Sequence, residues 1–268
     1  MIHDPYPKRI VCLTEETTET LYLLGEQHRI AGISVYTLRP PGAAKEKPRV
    51  SAFTSANIEE INALRPDLVI GFSDIQGETA KRLIEQGHTV WVNNHRSVRE
   101  ILDMIVRLGA LVGKTDRAMK LVEGYQQKIN KIRKQTESMK VKPRVYFEEW
   151  YDPMISGIHW VSEIIGIAGG KDIFPEHASE PIAKGRIISD GQEVVRRNPD
   201  IILASWCGKK FRKPKLTGRL GWDQISAVKN DDIYEIDSSV ILQPGPAVLT
   251  DGLDVVHRII SNWAKSNM

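Results

Sequence analysis

The chain has 268 residues, long enough for two lobes of ordinary domain size, with 41% hydrophobic and 26% charged residues. A formal net charge of +3 with dispersed basic residues excludes nucleic acid as an obvious partner. The longest apolar runs fall far short of the roughly 20 residues of a membrane helix, which excludes direct membrane insertion.

In chain order, Ile10-Val11-Cys12-Leu13 is a short apolar run that reads as a buried strand. Thr14-Glu15-Glu16-Thr17-Thr18-Glu19 then opens a helix, because carboxylates suit the positive end of the helix dipole. Gly25 stops it. Strand signals follow at Ile30–Val35, Leu68–Phe72 and Thr89–Val92, and helix signals at Ile58–Leu64, 78–86 and Val98–Leu111. Apolar strands without alternation, separated by helices, predict a parallel sheet covered on both faces.

From Asp116 to Met139, apolar Ala118, Leu121, Val122, Tyr125, Ile129 and Ile132 recur every three or four residues. They predict one long amphipathic helix, which would span roughly 36 Å. The second half returns to strands at Arg144–Phe147, Ile201–Ala204 and Ile233–Ile236, with helices at Trp160–Ala168 and Thr250–Trp263. The expected fold is α/β: a lobe over 1–112, a connecting helix over 113–141 and a second lobe over 142–268, with mainly parallel sheets.

One phrase occurs in both halves. The first copy is Glu59 followed by Leu64-Arg65-Pro66-Asp67-Leu68-Val69-Ile70, with Phe72 close behind. The second is Glu193 followed by Arg197-Asn198-Pro199-Asp200-Ile201-Ile202-Leu203, with Trp206 close behind. Each places an aromatic at the C-terminal end of a strand, the end where parallel sheets present ligands.

Several chemistries were weighed against this reading. Glu148 and Glu149 with His159 and His177 offer donor types for a metal hydrolase, but no HExxH spacing holds them together. The phosphate loops GxxxxGK[ST] and GxGxxG are absent. His159 is a candidate metal ligand. The cluster Lys209-Lys210-Phe211-Arg212-Lys213-Pro214-Lys215 reads as a solvated loop, with a polyanion contact as the alternative. The expectation is a protein with no catalytic residues, no required cofactor and no metal site.

The phrases of the first half, from Arg9–Leu13 through Gly32-Ile33-Ser34-Val35-Tyr36 and Asn57-Ile58-Glu59 to Leu64–Val69, resemble the class III periplasmic binding proteins, which carry cobalamin, iron–siderophores or haem. In the second half Glu149-Trp150-Tyr151-Asp152-Pro153, Gly157, Trp160-Val161 and Ala168-Gly169-Gly170 resemble the cobalamin-binding branch. The resemblance implies two lobes on a backbone helix. It further implies a non-catalytic receptor, carrier or sensor that holds a corrinoid in the inter-lobe cleft; the alternative is an iron–siderophore or haem protein of the same fold.

By the same resemblance Tyr36, Phe53 and Phe72 are cleft aromatics of the first lobe, and Trp150, Tyr151 and Trp160 belong to the wall of the second. Trp206, His159 and Gln243 complete the candidate ligand-binding set. Flat rings match a wide, apolar, amide-fringed corrin disc. Glu59 matches the first-lobe glutamate that docks on an ABC permease; the second-lobe position holds Gln192, with Glu193 next.

The opening residues to Arg9 show no apolar leader, and Cys12 and Cys207 fall in different lobes as separate thiols. Both point to a cytoplasmic protein serving a corrinoid-using partner, with a periplasmic or extracellular one as the alternative.

Overall fold

The computed structural model describes residues 5–267; the first four residues, part of the stretch read for a leader, lie outside it. The chain divides into two compact units, Met1–His95 with Arg99–Gly124, and Arg96–Val98 with Tyr125–Met268.

The N-terminal unit is built on a five-stranded sheet, β1 (Ile10–Cys12), β2 (Ile30–Ser34), β3 (Arg49–Ser51), β4 (Leu68–Phe72) and β5 (Val90–Asn93), in the order β3-β2-β1-β4-β5. All neighbours are parallel. The connections carry α1 (Glu15–Leu23), α2 (Ala43–Glu46), α3 (Ile58–Leu64) and α4 (Gly77–Glu85). Val11, Leu13, Val50, Ile58, Ile61, Val69 and Leu83 form a buried cluster, each contributing about 1.5–3 kcal/mol of burial free energy. Cys12 lies in this interior, and burial pushes its thiol up to about 11. Helix α5 (Val98–Leu111) follows, then α6 (Thr115–Glu137), inside which the division between the units falls.

The C-terminal unit contains β6 (Arg144–Tyr151), β7 (Met154–Ser156), β8 (Lys171–Asp172), β9 (Ile201–Ala204) and β10 (Ile233–Glu235), in the order β10-β9-β6-β7. Strands β10, β9 and β6 are parallel neighbours. Strand β8 pairs in parallel with the start of β6, and β7 folds back antiparallel on its end. The helices are α7 (His159–Ile167), α8 (Gln192–Arg197), α9 (Lys213–Thr217), α10 (Ser226–Lys229), α11 (Ser238–Ile241) and α12 (Leu253–Ser266). The interior is aromatic: Tyr146 meets Phe174 and Trp222 edge-on at 5.9 and 6.0 Å, among Ile188, Val194, Ile202 and Leu216.

Three strands escaped sequence reading. β3, β7 and β8 have two or three residues each, too few to show a period. Strand β6 also runs four residues past Phe147, through Glu148 and Glu149, because both carboxylates are neutralised by arginines within the unit. The last helix begins at Leu253, preceded by a single wide turn over Val248–Gly252, rather than at Thr250.

The repeated phrase is a structural device. Helices α3 and α8 both stop at a residue in the left-handed region, Arg65 (φ 46°) and Asn198 (φ 41°), and the proline that follows prevents any continuation. The next aspartate then clamps the neighbouring strand. Asp67 accepts the backbone N–H groups of Lys8 and Arg9, and Asp200 accepts that of Arg144. In return the Arg9 side chain donates to Leu64 O, and Arg144 to Arg197 O, capping the helix just ended. The registers agree: Ile10 pairs with Leu68, and Val145 with Ile201.

Candidate aromatic binding site

In the C-terminal unit the end of β6 and the segment after β9 bring four rings into a row. Trp150 and Tyr151 lie 5.3 Å apart between centroids, Tyr151 and Trp206 4.5 Å, and Trp206 and Phe211 5.0 Å. Trp150 and Tyr151 are half-buried, whereas Trp206 is buried. The indole of Trp150 donates to Asp152 O, which ties it to the turn between β6 and β7.

Behind the row sits Glu148, fully buried on β6. Its Oε1 accepts from the Trp206 indole at 3.0 Å and from Arg219 Nη2 at 3.2 Å. Its Oε2 accepts from Tyr146 Oη at 3.0 Å and from Arg219 Nη1 at 2.5 Å. Arg219 reaches further, donating to Tyr151 O and lying 4.5 Å over the Trp222 ring. One carboxylate thus fixes Trp206 directly and Tyr151 through Arg219. Burial and the neighbouring Glu148 charge push the Tyr146 phenol well above its ordinary range.

Cations line the row. Lys209 Nζ lies 5.0 Å from the Trp150 centroid and 5.7 Å from that of Tyr151, and Lys215 Nζ lies 4.6 Å from Tyr151. The expected solvated loop is therefore only partly that: Lys213 heads α9 and pairs with Asp231, while two lysines turn onto the rings.

Of the remaining candidates in this unit, Trp160 is 3% exposed in α7 and donates to Ile241 O, so most of its ring belongs to the core. His159 opens α7, with Nδ1 3.0 Å from Ala178 O and Nε2 3.9 Å from Glu163. Gln243 is half-buried in the loop after α11, where its backbone carbonyl accepts from the Gly245 N–H. Glu149 forms a two-pronged pair with the buried Arg186, and His177 bonds Ser156 Oγ. Among the described residues no three His, Cys, Asp or Glu side chains come together as a metal site.

In the N-terminal unit Tyr36 stands 48% exposed just past β2, Phe53 is half-buried after β3, and Phe72 is buried at the end of β4. Phe72 meets His95 edge-on at 5.0 Å. Gln76, buried and not foreseen, holds these pieces together. Its amide donates to Leu13 O and Phe53 O, and its Oε1 accepts from the Phe72 backbone. Glu59 is exposed in the first turn of α3. Glu193 is held between Arg196 and Arg197, and Gln192 donates to Leu220 O.

Phe211, Lys209, Lys215, Arg219, Glu148 and Gln76 were missing from the candidate set. The basic cluster over 209–215, with Phe211 inside it, was the one signal present for the first three. The other three work through partners 58 to 71 residues away or through backbone carbonyls.

The fold recurs in solved structures. The periplasmic vitamin B12 binding protein of Vibrio cholerae superposes with a TM-score of 0.77 at 25% identity, covering 97% of this chain and 98% of that one. A possible iron-binding periplasmic solute-binding protein of Staphylococcus epidermidis gives 0.80 at 25% identity, covering 95% and 98%. By sequence, the vitamin B12-binding protein of Vibrio cholerae serotype O1 is 27% identical over 93% of this chain and 88% of its own length. An ABC transporter substrate-binding lipoprotein of Bacillus subtilis is 27% identical over 91% and 77%.

These relatives overturn the expectation of a cytoplasmic carrier, since they are periplasmic proteins or a substrate-binding lipoprotein. That expectation leaned on nine opening residues, two thiols and a second docking carboxylate displaced by one position, none of which marks a compartment. Among the described residues no helix is long and apolar enough to cross a membrane. The two sheets with their repeated strand clamp, and a match to the periplasmic binding protein family over residues 10–240, establish that this chain belongs to that family.

Proposed function

We propose that the chain binds a corrinoid of the cobalamin type and releases it unchanged. The observation that carries this reading is the row Trp150–Tyr151–Trp206–Phe211 at the C-terminal ends of β6 and β9. Rigid aromatic contact area at low entropy cost suits a rigid macrocycle. The vitamin B12-binding relatives support the same ligand class. His159 is a weaker member of the set, because its Nδ1 is already engaged by Ala178 O, and Trp160, like Trp206, leaves only a few per cent of its surface exposed.

The substrate-binding lipoprotein among the relatives supports an ABC permease as the receiving partner. Glu59 is the better docking residue, standing exposed on α3, whereas Glu193 spends its charge on Arg196 and Arg197.

Titration calorimetry with cyanocobalamin and aquocobalamin tests the reading. One site per chain is expected, with the corrinoid spectrum recovered unaltered after release. Failure to bind either corrinoid at high micromolar concentration, with tight binding of a ferric siderophore or haemin, would overturn it. Release of a chemically altered corrinoid would show catalysis instead.

A further inference from the structure

We infer that the ligand carries an anionic oxygen group on its rim, and that Lys209 and Lys215 select for it. The inference rests on the corrinoid reading and names which corrinoids fit. Both ammonium groups lie over rings of the aromatic row, 5.0 Å from the Trp150 centroid and 4.6 Å from that of Tyr151, on side chains that are otherwise exposed. Among the described residues neither meets a carboxylate within ion-pair distance, whereas Lys213 in the same segment pairs with Asp231.

The nearby acids are otherwise engaged. Glu148 is neutralised by Arg219, Glu149 by Arg186, and Glu235 accepts from the Phe211 backbone. With Asp152 exposed in the turn after Tyr151, Lys209 and Lys215 still leave the wall a surplus of positive charge. A disc seated beside the row would bring its edge to these ammonium groups, which the ring faces already hold, so less side-chain entropy is lost on pairing.

Corrinoids differ in the required group. Cobalamins carry a phosphodiester in the nucleotide loop, cobyric acid a free carboxylate, and cobinamide neither. The lysines recognise what the first two share, a negative oxygen group on an otherwise amide-fringed disc.

The test is a competition titration of the full chain with cyanocobalamin, dicyanocobyric acid and dicyanocobinamide at low and high salt. Cobinamide is expected to bind about tenfold more weakly than cyanocobalamin at low salt, the gap closing as salt screens the charges. The double variant Lys209→Gln/Lys215→Gln should weaken cyanocobalamin by about the same factor and leave cobinamide unchanged. Lys229→Gln, an exposed lysine on α10, controls for net charge and should move neither. Tight binding of cobyric acid shows that any rim anion serves; weak binding restricts selection to the phosphodiester. Equal, salt-insensitive affinity for cobalamin and cobinamide would overturn this inference while leaving the corrinoid reading intact. So would a double variant that weakens both ligands alike, since the lysines would then act on the fold. Binding of no corrinoid at all would sink both.

Discussion

The two units solve one problem in the same way and another differently. At the entry of the central strand pair each uses the same clamp, an Asp after a Pro that accepts the backbone of the residue opening the neighbouring strand: Asp67 with Arg9, Asp200 with Arg144. At the exit they diverge. The N-terminal unit ties its aromatics with a neutral amide, Gln76. The C-terminal unit uses a buried carboxylate, Glu148, held by Arg219. The entry serves folding, so one arrangement suffices twice. At the exit the charged hub has the stronger hold on ring orientation because charge-assisted bonds are roughly twice as strong as neutral ones.

The largest expected effect follows from that difference. Replacing Glu148 with Ala leaves the Arg219 guanidinium, whose side chain is 18% exposed, without its partner. Breaking a buried pair from one side costs about 3–5 kcal/mol. Gln76→Ala removes a neutral hub and should cost about 1–3 kcal/mol. Urea unfolding of the two variants ranks them. Equal losses would mean that charge adds nothing to the C-terminal hub.

The repeated phrase was legible from the sequence, while its clamps and the hubs were not. The proline acts locally to end each helix, but Asp67 and Asp200 accept from strands 56 to 59 residues earlier. Glu148 and Arg219 are 71 residues apart, and nothing near either one in sequence marks the pairing. A carboxylate in a strand reads as a strand's end until its cation is seen. Trp160 illustrates the same limit: an aromatic after Gly157-Ile158 looks alike in sequence whether it faces ligand or, as here, donates to Ile241 O inside the core.

A second contrast concerns buried carboxyls. Glu16, in the N-terminal unit, is buried like Glu148 but is held by the Thr14 hydroxyl at 2.6 Å rather than by a cation. Burial, reinforced by the adjacent Glu15, raises its pKa to about 8. The folded state therefore keeps a proton that the unfolded chain releases above the usual carboxylate range. Stability contributed by this group is full at acid pH, falls as pH rises from about 4.5 to about 8, and is flat beyond. The steepest loss is about 1.4 kcal/mol per pH unit. Glu16→Gln removes the titration, so the variant should gain on the wild type across that window. A constant difference in melting free energy from acid to alkaline pH would show that Glu16 ionises like an exposed carboxyl.

A smaller effect tests the shared feature. Asp67→Ala and Asp200→Ala should each cost about 1–2 kcal/mol, the range of a lost helix cap or hydrogen bond to a charged group. The additional contact of Asp200 with the Arg144 guanidinium adds little, because that arginine is 45% exposed. Costs that differ by more than about 2 kcal/mol would show that the two phrases look alike without performing the same task.

The smallest perturbation leaves every side chain in place and reads the two units through their thiols. Cys12 is fully buried in β1, with its pKa raised to about 11 chiefly by burial. Cys207 is exposed in the segment directly after Trp206. Alkylation proceeds through the thiolate and requires access, so iodoacetamide at about neutral pH should modify Cys207 in the folded protein. Cys12 should react only as fast as the N-terminal unit opens. Saturating cyanocobalamin should slow labelling of Cys207, because a disc seated on Trp206 and its neighbours covers the adjoining segment. Its effect on Cys12 should be limited to the mass-action stabilisation of the folded state. Mass spectrometry of the two cysteine-containing peptides resolves the rates. If cobalamin binds yet leaves Cys207 labelling unchanged, the ligand lies away from the Trp206 end of the row, and the C-terminal exit of β9 loses its assigned part in binding.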